Sequence, residues 1–514
     1  MKNVFEVLKN EGYECSSALQ RYYKEIDQWR YWWEGYLPSF HKYKVSNIRK
    51  ELIEVERHKL KMAKKVCEDW ANLLLTDKTL IIVDETVDIG TDEKDDSVEN
   101  KINESQSFIS GDDTEQQGGV LGLSKFWKNG NRSIEKSMAL GTVAFILNLH
   151  NPVYDSKNQV LSAESVKIKY IKDATNIIPI SYDDTGITDC AFASSKTIKG
   201  KTYLYLQIMV QIKNGYQIKN VYYLLENNVY TKCDKTPTGE VNSYILPAKP
   251  FFIFSPNIEN NVSDVPLGIS VYANALDQLK GCDLAYDNLY NDFLLGRKKV
   301  HIAEDIISTS KIPKKDHEGK VMKDNKGMPI YEEKPLAGDA IEQSLYVSMG
   351  KRGPDEERFF KEYNPQLRVT ENKEGIQFFL NLLSSKVGFG QGRYRFDTQT
   401  MNTATEVKAS NKDLTESVWK QRVALTDVLT EMTSSILKLG KEMCGKNVNP
   451  DAKITIKFDD TMFSDEEAQR MRDLQEVRDG IMKKWEYRVK WYGENEEKAK
   501  DMVAQEEYGE EEFK

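Results

Sequence analysis

The sequence predicts an α+β fold made of several structural units, and three observations carry that prediction. At 514 residues the chain exceeds the size at which a single hydrophobic core stops growing, so more than one unit is expected. Between about Val166 and Tyr230 the texture turns to Ile, Val, Tyr and Thr, and the run KTYLYLQIMVQIKNGYQIKNVYYLLE sets Asn214-Gly215 between two apolar stretches. This is the strongest short-range hairpin signal, because Asn-Gly tolerates the positive φ that a tight two-residue turn requires. Elsewhere apolar residues recur close to every 3.6 positions, as they do in helices with one face on a core.

In chain order, Ile48, Leu52, Val55, Met62, Val66, Trp70 and Leu73 predict a long amphipathic helix over 46–75. Nine Lys or Arg residues lie between Lys42 and Lys65. Glu51, Glu54 and Glu56 are interleaved with them, so the stripe fits an ordinary solvated face as well as a DNA-facing one and decides neither. Asp84 to Gln117, acidic and short of aromatics, reads as a long mobile insertion. Helical pattern returns near Arg132, and the antiparallel sheet follows.

A second long helix is expected from Pro266 to about Gly296, with Tyr272, Leu276, Leu279, Tyr286, Leu289, Tyr290 and Phe293 as its apolar residues. Asp277, Asp283, Asp287 and Asp292 do not share one face, so they read as its wet side. Residues 299–369 are an excursion of turn signals (HEGK, DNKG, KRGP) around short strand-like pieces, KVHIAEDII and SLYVSMG. A helix is expected from about Glu371 to Val387, then a glycine-rich loop, GFGQGRYRFDTQTMNTATEVKASN, from Gly388. Thr403 and Glu406 fit a capping box for a helix running to about Met443, with Leu414, Val418, Leu425, Leu429, Met432, Ile436 and Leu439 on one face. The strand KITIKFDD and a charged helical tail with Trp485 and Trp491 close the chain, and no internal repeat is seen.

Charge and cysteine usage narrow the setting. The net charge of −9 is uneven: Asp84 to Gln117 contributes −10 and Gly493 to Lys514 contributes −6, so the remainder carries about +7. The acidic total therefore does not exclude nucleic acid, and speaks only against a strongly basic coating surface. The six cysteines are scattered without metal spacing, which predicts reduced, mostly buried thiols. MKNVFEVLKNEGYE lacks a signal-peptide core, and the apolar run Met138 to Leu149 is too short to span a bilayer, so a cytosol-like setting without a membrane is expected.

The catalytic templates fail in turn. Gly388, Gly390 and Gly392 space as GxGxG with Arg393 next and no strand before them, so the dinucleotide fingerprint is not met. Gly200-Lys201-Thr202 has Ser195 where a nucleoside-triphosphate loop needs its first glycine. The five histidines (His41, His58, His150, His301, His317) form no HExxH and read as surface or packed imidazoles. Asp183-Asp184 and Asp459-Asp460 are adjacent pairs, which on a strand point to opposite faces and cannot clamp one ion. No GxSxG is present. The reading is a protein with no catalytic residues, no metal and no cofactor.

Three segments carry a resemblance: RHKLKMAKKVCEDWANLLLTDKTLIIV, VPLGISVYANALDQLKGCDLAYDNLYNDFLLGRKKVHI from Val265, and TATEVKASNKDLTES from Thr403. With the order of elements around them, the chain resembles the portal proteins of tailed bacteriophages, the head-to-tail connectors of phages infecting Gram-positive bacteria. The resemblance implies an α/β wing (1–264, with the acidic insertion 84–117, and 404–462), a two-helix stem (265–298 and 370–388), a small strand-bearing clip (299–369) and a helical crown (463–514). It implies a tunnel loop at 389–403 that narrows a channel. It further implies a homo-oligomeric ring, usually of twelve subunits, at one capsid vertex of the virion, assembled in the host bacterial cytoplasm. Double-stranded DNA would pass through it, read without sequence preference. The terminase large subunit, a head-completion adaptor, and major capsid and scaffolding proteins would be its partners.

Within that frame Gly388, Gly390 and Gly392 are expected to free the tunnel loop, which also holds Gln391, and Arg393, Tyr394 and Arg395 are expected to meet passing DNA. Subunit salt bridges remain the other reading of the two arginines. Another non-enzymatic virion component, or a DNA-packaging enzyme, are the alternative functions.

Overall fold

The computed structural model describes residues 2–46, 50–84, 103–111, 116–155, 159–226, 229–234, 236–238, 241–302, 309–335, 346–348, 360–395, 404–459, 466–478, 482–492, 498–500 and 502–503. Helix and strand are mixed throughout, as an α+β reading requires.

Helices α1 (Lys2–Asn10), α2 (Ser17–Glu34) and α3 (Pro38–His41) open the chain. The Ser16 hydroxyl accepts the Ala18 amide at the start of α2, and Gly35, at φ +76°, ends it by donating to the Trp32 carbonyl. Leu19, Tyr22, Tyr23, Ile26, Trp29 and Trp32 lie along its buried side, three or four residues apart.

The helix expected over 46–75 is only half helix. Strands β1 (Lys42–Ser46) and β2 (Leu52–Glu56) pair antiparallel, and helix α4 starts at Met62 and ends at Leu74. From Ile53 to Glu56 apolar residues alternate with glutamates, a period of two that the longer 3.6-residue pattern concealed. Strand β3 (Leu80–Asp84) follows.

The insertion is also narrower than expected, because helix α5 (Glu104–Ser110) is packed into the body. Ile109 is buried, while the Gln106 and Gln116 side chains bond to backbone groups of β3. Helices α6 (Gly119–Ser124) and α7 (Phe126–Leu140) come next, so the helical pattern resumes ahead of Arg132.

Strands β4 (Val143–His150), β5 (Val153–Tyr154), β6 (Val160–Ser162), β7 (Ser165–Ile171), β8 (Ile177–Asp183), β9 (Gly186–Ile198), β10 (Lys201–Ile212), β11 (Gly215–Glu226), β12 (Val229–Lys232), β13 (Ser243–Leu246) and β14 (Phe251–Phe254) form the β region. The large sheet runs β12-β11-β10-β9-β8 with β13 on β11, and a smaller one runs β14-β4-β7. The hairpin signalled by Asn214-Gly215 joins β10 to β11, but its two turn residues are Lys213 and Asn214: Ile212 pairs with Gly215, which opens β11 at φ +131°. The inner faces of both sheets enter one core with α2, α4 and α7.

Helix α8 spans Leu276–Leu295, ten residues later than the start expected at Pro266. Val265, Leu267, Ile269 and Val271 are all buried, on a stretch of bends and turns tied to the end of α7 by the Val271 amide, which donates to the Met138 carbonyl. Gly268 passes so close to Gly141 that a Cβ on it would sit 2.6 Å from the Gly141 carbonyl oxygen.

The excursion holds β15 (Lys299–Ile302), β16 (Thr309–Pro313), β17 (Tyr331–Pro335), β18 (Tyr346–Ser348) and β19 (Phe360–Tyr363); β15 pairs with β18 and β19, and β16 with β17. Between β16 and β17, one carboxylate oxygen of Asp316 and one of Asp324 each accept hydrogen bonds from two downstream amides, and Gly319 and Gly327 follow each at the same offset. These turns repeat eight residues apart, a short tandem repeat where none was expected. The KRGP turn lies outside the described residues.

Helix α9 (Val369–Lys386) returns antiparallel to α8, and the two touch at Gly281, where an added Cβ would lie 2.3 Å from the Phe379 ring. Helix α10 (Ala404–Cys444) follows, with all seven expected apolar positions from Leu414 to Leu439 buried. Strand β20 (Lys453–Lys457) pairs with β3. Helices α11 (Glu466–Arg478) and α12 (Lys484–Tyr492) form the charged tail, where Asp473 accepts both the Trp491 indole and the Lys490 ammonium.

Candidate functional site

The glycine turn after α9 is built on α4. Helix α4 offers Trp70 and Asp69 side by side, both buried. The Trp70 indole donates to the Val387 carbonyl at 3.1 Å, and its ring stacks on Phe389 at 4.8 Å and 23°. Tyr394 meets the Phe389 ring edge-on, and its hydroxyl donates to Asp69 at 2.9 Å. Lys65 pairs with the same carboxylate from one turn earlier on α4. From α9, the Gln377 amide donates to the Tyr394 carbonyl at 2.8 Å.

The three glycines are required where they stand. Gly388, Gly390 and Gly392 have φ of +89°, +71° and +91°, which residues with a Cβ rarely adopt. Space is also short: a Cβ on Gly388 would crowd Ser417 and Trp70, one on Gly390 would lie 3.2 Å from Asp413, and one on Gly392 would strike the Arg395 guanidinium. The turn is thus wedged between α4 and α10.

Two consequences follow for the expected loop. The amides of Gly388 and Phe389 are already given to the Ser385 and Ser384 carbonyls at the end of α9, so they close a helix terminus instead of facing an anion. Tyr394, expected to meet DNA, instead points inward. Burial first, then the Asp69 carboxylate, pushes its hydroxyl far above the ordinary tyrosine range, so it stays a neutral donor. Arg393 and Arg395 are exposed and make no ion pair with a described residue, with Arg393 lying 5.8 Å over the Phe389 ring. Gln391 is exposed beside them. Residues 396–403, including Thr403, lie outside the described residues, as does the side chain of Glu406; helix α10 does begin at Ala404.

The second constellation fixes the root of α8. Asp283 and Asp287, expected on a wet face, are both buried. Asp283 accepts the Leu60 amide at 2.7 Å and bonds the fully buried His41 ring at 3.0 Å; Asp287 accepts the His58 amide at 2.9 Å. Their spacing of four puts them on one helix face, where they clamp the chain between β2 and α4. Further along, Asp292 accepts from Arg368 at 2.9 Å and from Asn372 at 2.6 Å, tying α8 to α9. The Arg368 guanidinium is the chief cause holding the Asp292 carboxyl below the usual range.

Below Asp287 the helix pair changes character. From Asn288 to Leu295 no residue of α8 is fully buried, nor is any from Val369 to Gly375 of α9. Phe293 is 50% exposed, and Tyr290, Leu294 and Leu295 are exposed with it. The pair leaves the body as a stalk, with apolar side chains in solvent and the strand-bearing excursion at its far end.

Among the described residues no three His, Cys, Asp or Glu side chains converge on a point that could hold a metal ion. Adjacent Asp183 and Asp184 lie at the β8–β9 turn, where Asp183 holds Thr185; Asp460 lies outside the described residues. Cys67, Cys190 and Cys282 are buried and free, and burial pushes the Cys282 thiol up to about 12. Among the described residues no helix is long and apolar enough to cross a membrane. No protein-family model and no curated protein matches the chain.

Sequence reasoning singled out the turn but missed its anchors. Trp70 was visible only as a core position of an amphipathic helix, and nothing in the spacing connects Asp69 or Gln377 to Tyr394.

Proposed function

We propose that the chain is one subunit of a ring-shaped portal, through which double-stranded DNA enters and leaves a capsid. The observation that supports this best is the stalk. Two long helices project from a well-packed body with aromatic and leucine side chains in water, a state that ordinarily marks an interaction surface. Copies side by side around an axis would cover those side chains, and the excursion at the stalk's end would be left free for the packaging ATPase and head-completion proteins.

The glycine turn sits at the body end of the stalk. On an axis, a ring of such turns would offer Arg393 and Arg395 to the phosphate backbone. DNA of any sequence must move past, so contacts have to be few, exposed and salt-sensitive. The anchoring of Phe389 and Tyr394 holds the turn's base, while the Arg393 and Arg395 side chains reach out beside Gln391. The work of translocation would come from a separate ATPase.

Negative-stain micrographs of the purified chain test the ring directly: rings with an axial hole are expected, and monomers alone would favour a non-ring virion component. ATP hydrolysis by the pure chain would favour a packaging enzyme instead. Arg393→Ala combined with Arg395→Ala is expected to leave rings intact and to impair DNA packaging or retention. Normal packaging and retention in that variant would remove the arginines from the mechanism.

A further inference from the structure

Strands β1 and β2 form a two-stranded hairpin that no third strand joins among the described residues. Its faces differ sharply. The cross-strand pairs Lys42–Glu56 and Lys44–Glu54 make one face charged, and Lys42 is bonded to Glu54 at 2.9 Å. The pairs Tyr43–Val55 and Val45–Ile53 make the other face apolar. At the base of that face the Arg57 guanidinium covers Tyr43 at 4.4 Å, but further out Val45 is 44% and Ile53 50% exposed. A lone hairpin is marginal in water unless its apolar face is packed on something.

The hairpin is rooted where α8 leaves the body. His58, two residues after β2, gives its amide to Asp287, and its ring lies against Tyr290. Rotation about a ring axis keeps every group at constant height. If the stalk runs along such an axis, the hairpin of one copy stands level with the root of the next copy's stalk, where Tyr290 and Phe293 are open. Taking about 200 Å² for an aromatic side chain, the half-exposed Tyr290 and Phe293 alone offer roughly 190 Å². A stable interface takes about 800 Å² from each partner, so these rings would supply its apolar centre.

We infer that the apolar face of the β1–β2 hairpin packs on the stalk root of a second copy of this chain, through Val45 and Ile53 on one side and Tyr290 and Phe293 on the other. The two patches are different surfaces, so the contact is head-to-tail, the kind that closes into a ring when its rotation allows. The inference rests on the ring reading and adds which surfaces make the ring.

Two measurements test it. Ile53→Cys with Phe293→Cys, oxidised after assembly, should give a ladder of disulfide-linked multimers on a denaturing gel, absent from the parent chain and from either single variant. Val45→Ser with Ile53→Ser should raise the concentration at which rings dissociate about tenfold or more, with the circular dichroism melt of the monomer unchanged. Rings that form normally in the serine variant, with no ladder or only an intramolecular link in the cysteine variant, would overturn the hairpin contact and leave the ring standing. A parent chain that stays monomeric at all concentrations would overturn both.

Discussion

The first three turns of α8 and its last two belong to one helix in two environments. From Leu276 to Asp287 the helix packs on the body: Leu279 and Cys282 are in the core, and Asp283 and Asp287 spend their carboxylates on backbone amides and on His41. From Asn288 to Leu295 the composition is no more polar, yet no residue is fully buried, and Tyr290, Phe293, Leu294 and Leu295 are exposed. Apolar residues on a helix thus do not by themselves say where the core ends. The upper half owes its order to this chain, and the lower half offers the same kind of surface to something outside it.

Substitutions can separate the two halves. The largest loss of stability is expected in the body: Trp70→Ala removes the ring under Phe389 and the bond to Val387, and should cost about 3–5 kcal/mol in urea unfolding. Asp283→Ala comes next, at about 2–4 kcal/mol, because it leaves the half-buried Leu60 amide and the buried His41 ring without their acceptor. Phe293→Ser, on the stalk, should change monomer stability by no more than about 0.5 kcal/mol while weakening self-association in sedimentation velocity. A large stability loss there would show that the stalk is already covered within one chain.

The smallest effect is expected at Asp292, whose folded-state carboxyl is held low by Arg368. A depressed carboxylate stabilises above its unfolded pKa, and that contribution disappears as pH falls through the lower folded value. Asp292→Asn should therefore narrow the difference in urea midpoint between neutral and acidic solution slightly, by less than the body substitutions change it at any pH. An unchanged pH difference would mean that the clamp does not contribute to folding.

How much was legible follows from the same contrast. The buried face of α10 from Leu414 to Leu439, the β10–β11 hairpin and the helix α9 were readable, because each is set by local periodicity or turn chemistry, although the hairpin turn falls on Lys213-Asn214, one residue earlier than Asn214-Gly215. Residues 52–56 and 265–271 were misread as helix. In both, the apolar residues fit a 3.6-residue template over a short stretch, and pairing or burial between distant segments decided the matter. In the candidate site the glycines were readable from their spacing and the arginines from their charge, while the inward turn of Tyr394 was not.

By itself the sequence determined the alternation of helix and strand, the glycines that let the chain reverse after α9, and a chain without a recognisable catalytic template. Those features depend on a residue and its near neighbours, through backbone sterics and side-chain periodicity. Only the tertiary structure decided that Asp283 and Asp287 are clamps, that Asp69 and Trp70 anchor the turn, and that the lower stalk and the β1–β2 hairpin are left uncovered. Burial is a property of what lies across the fold, and residues more than two hundred positions apart, such as Leu60 and Asp283 or Trp70 and Val387, meet only when the whole chain has packed.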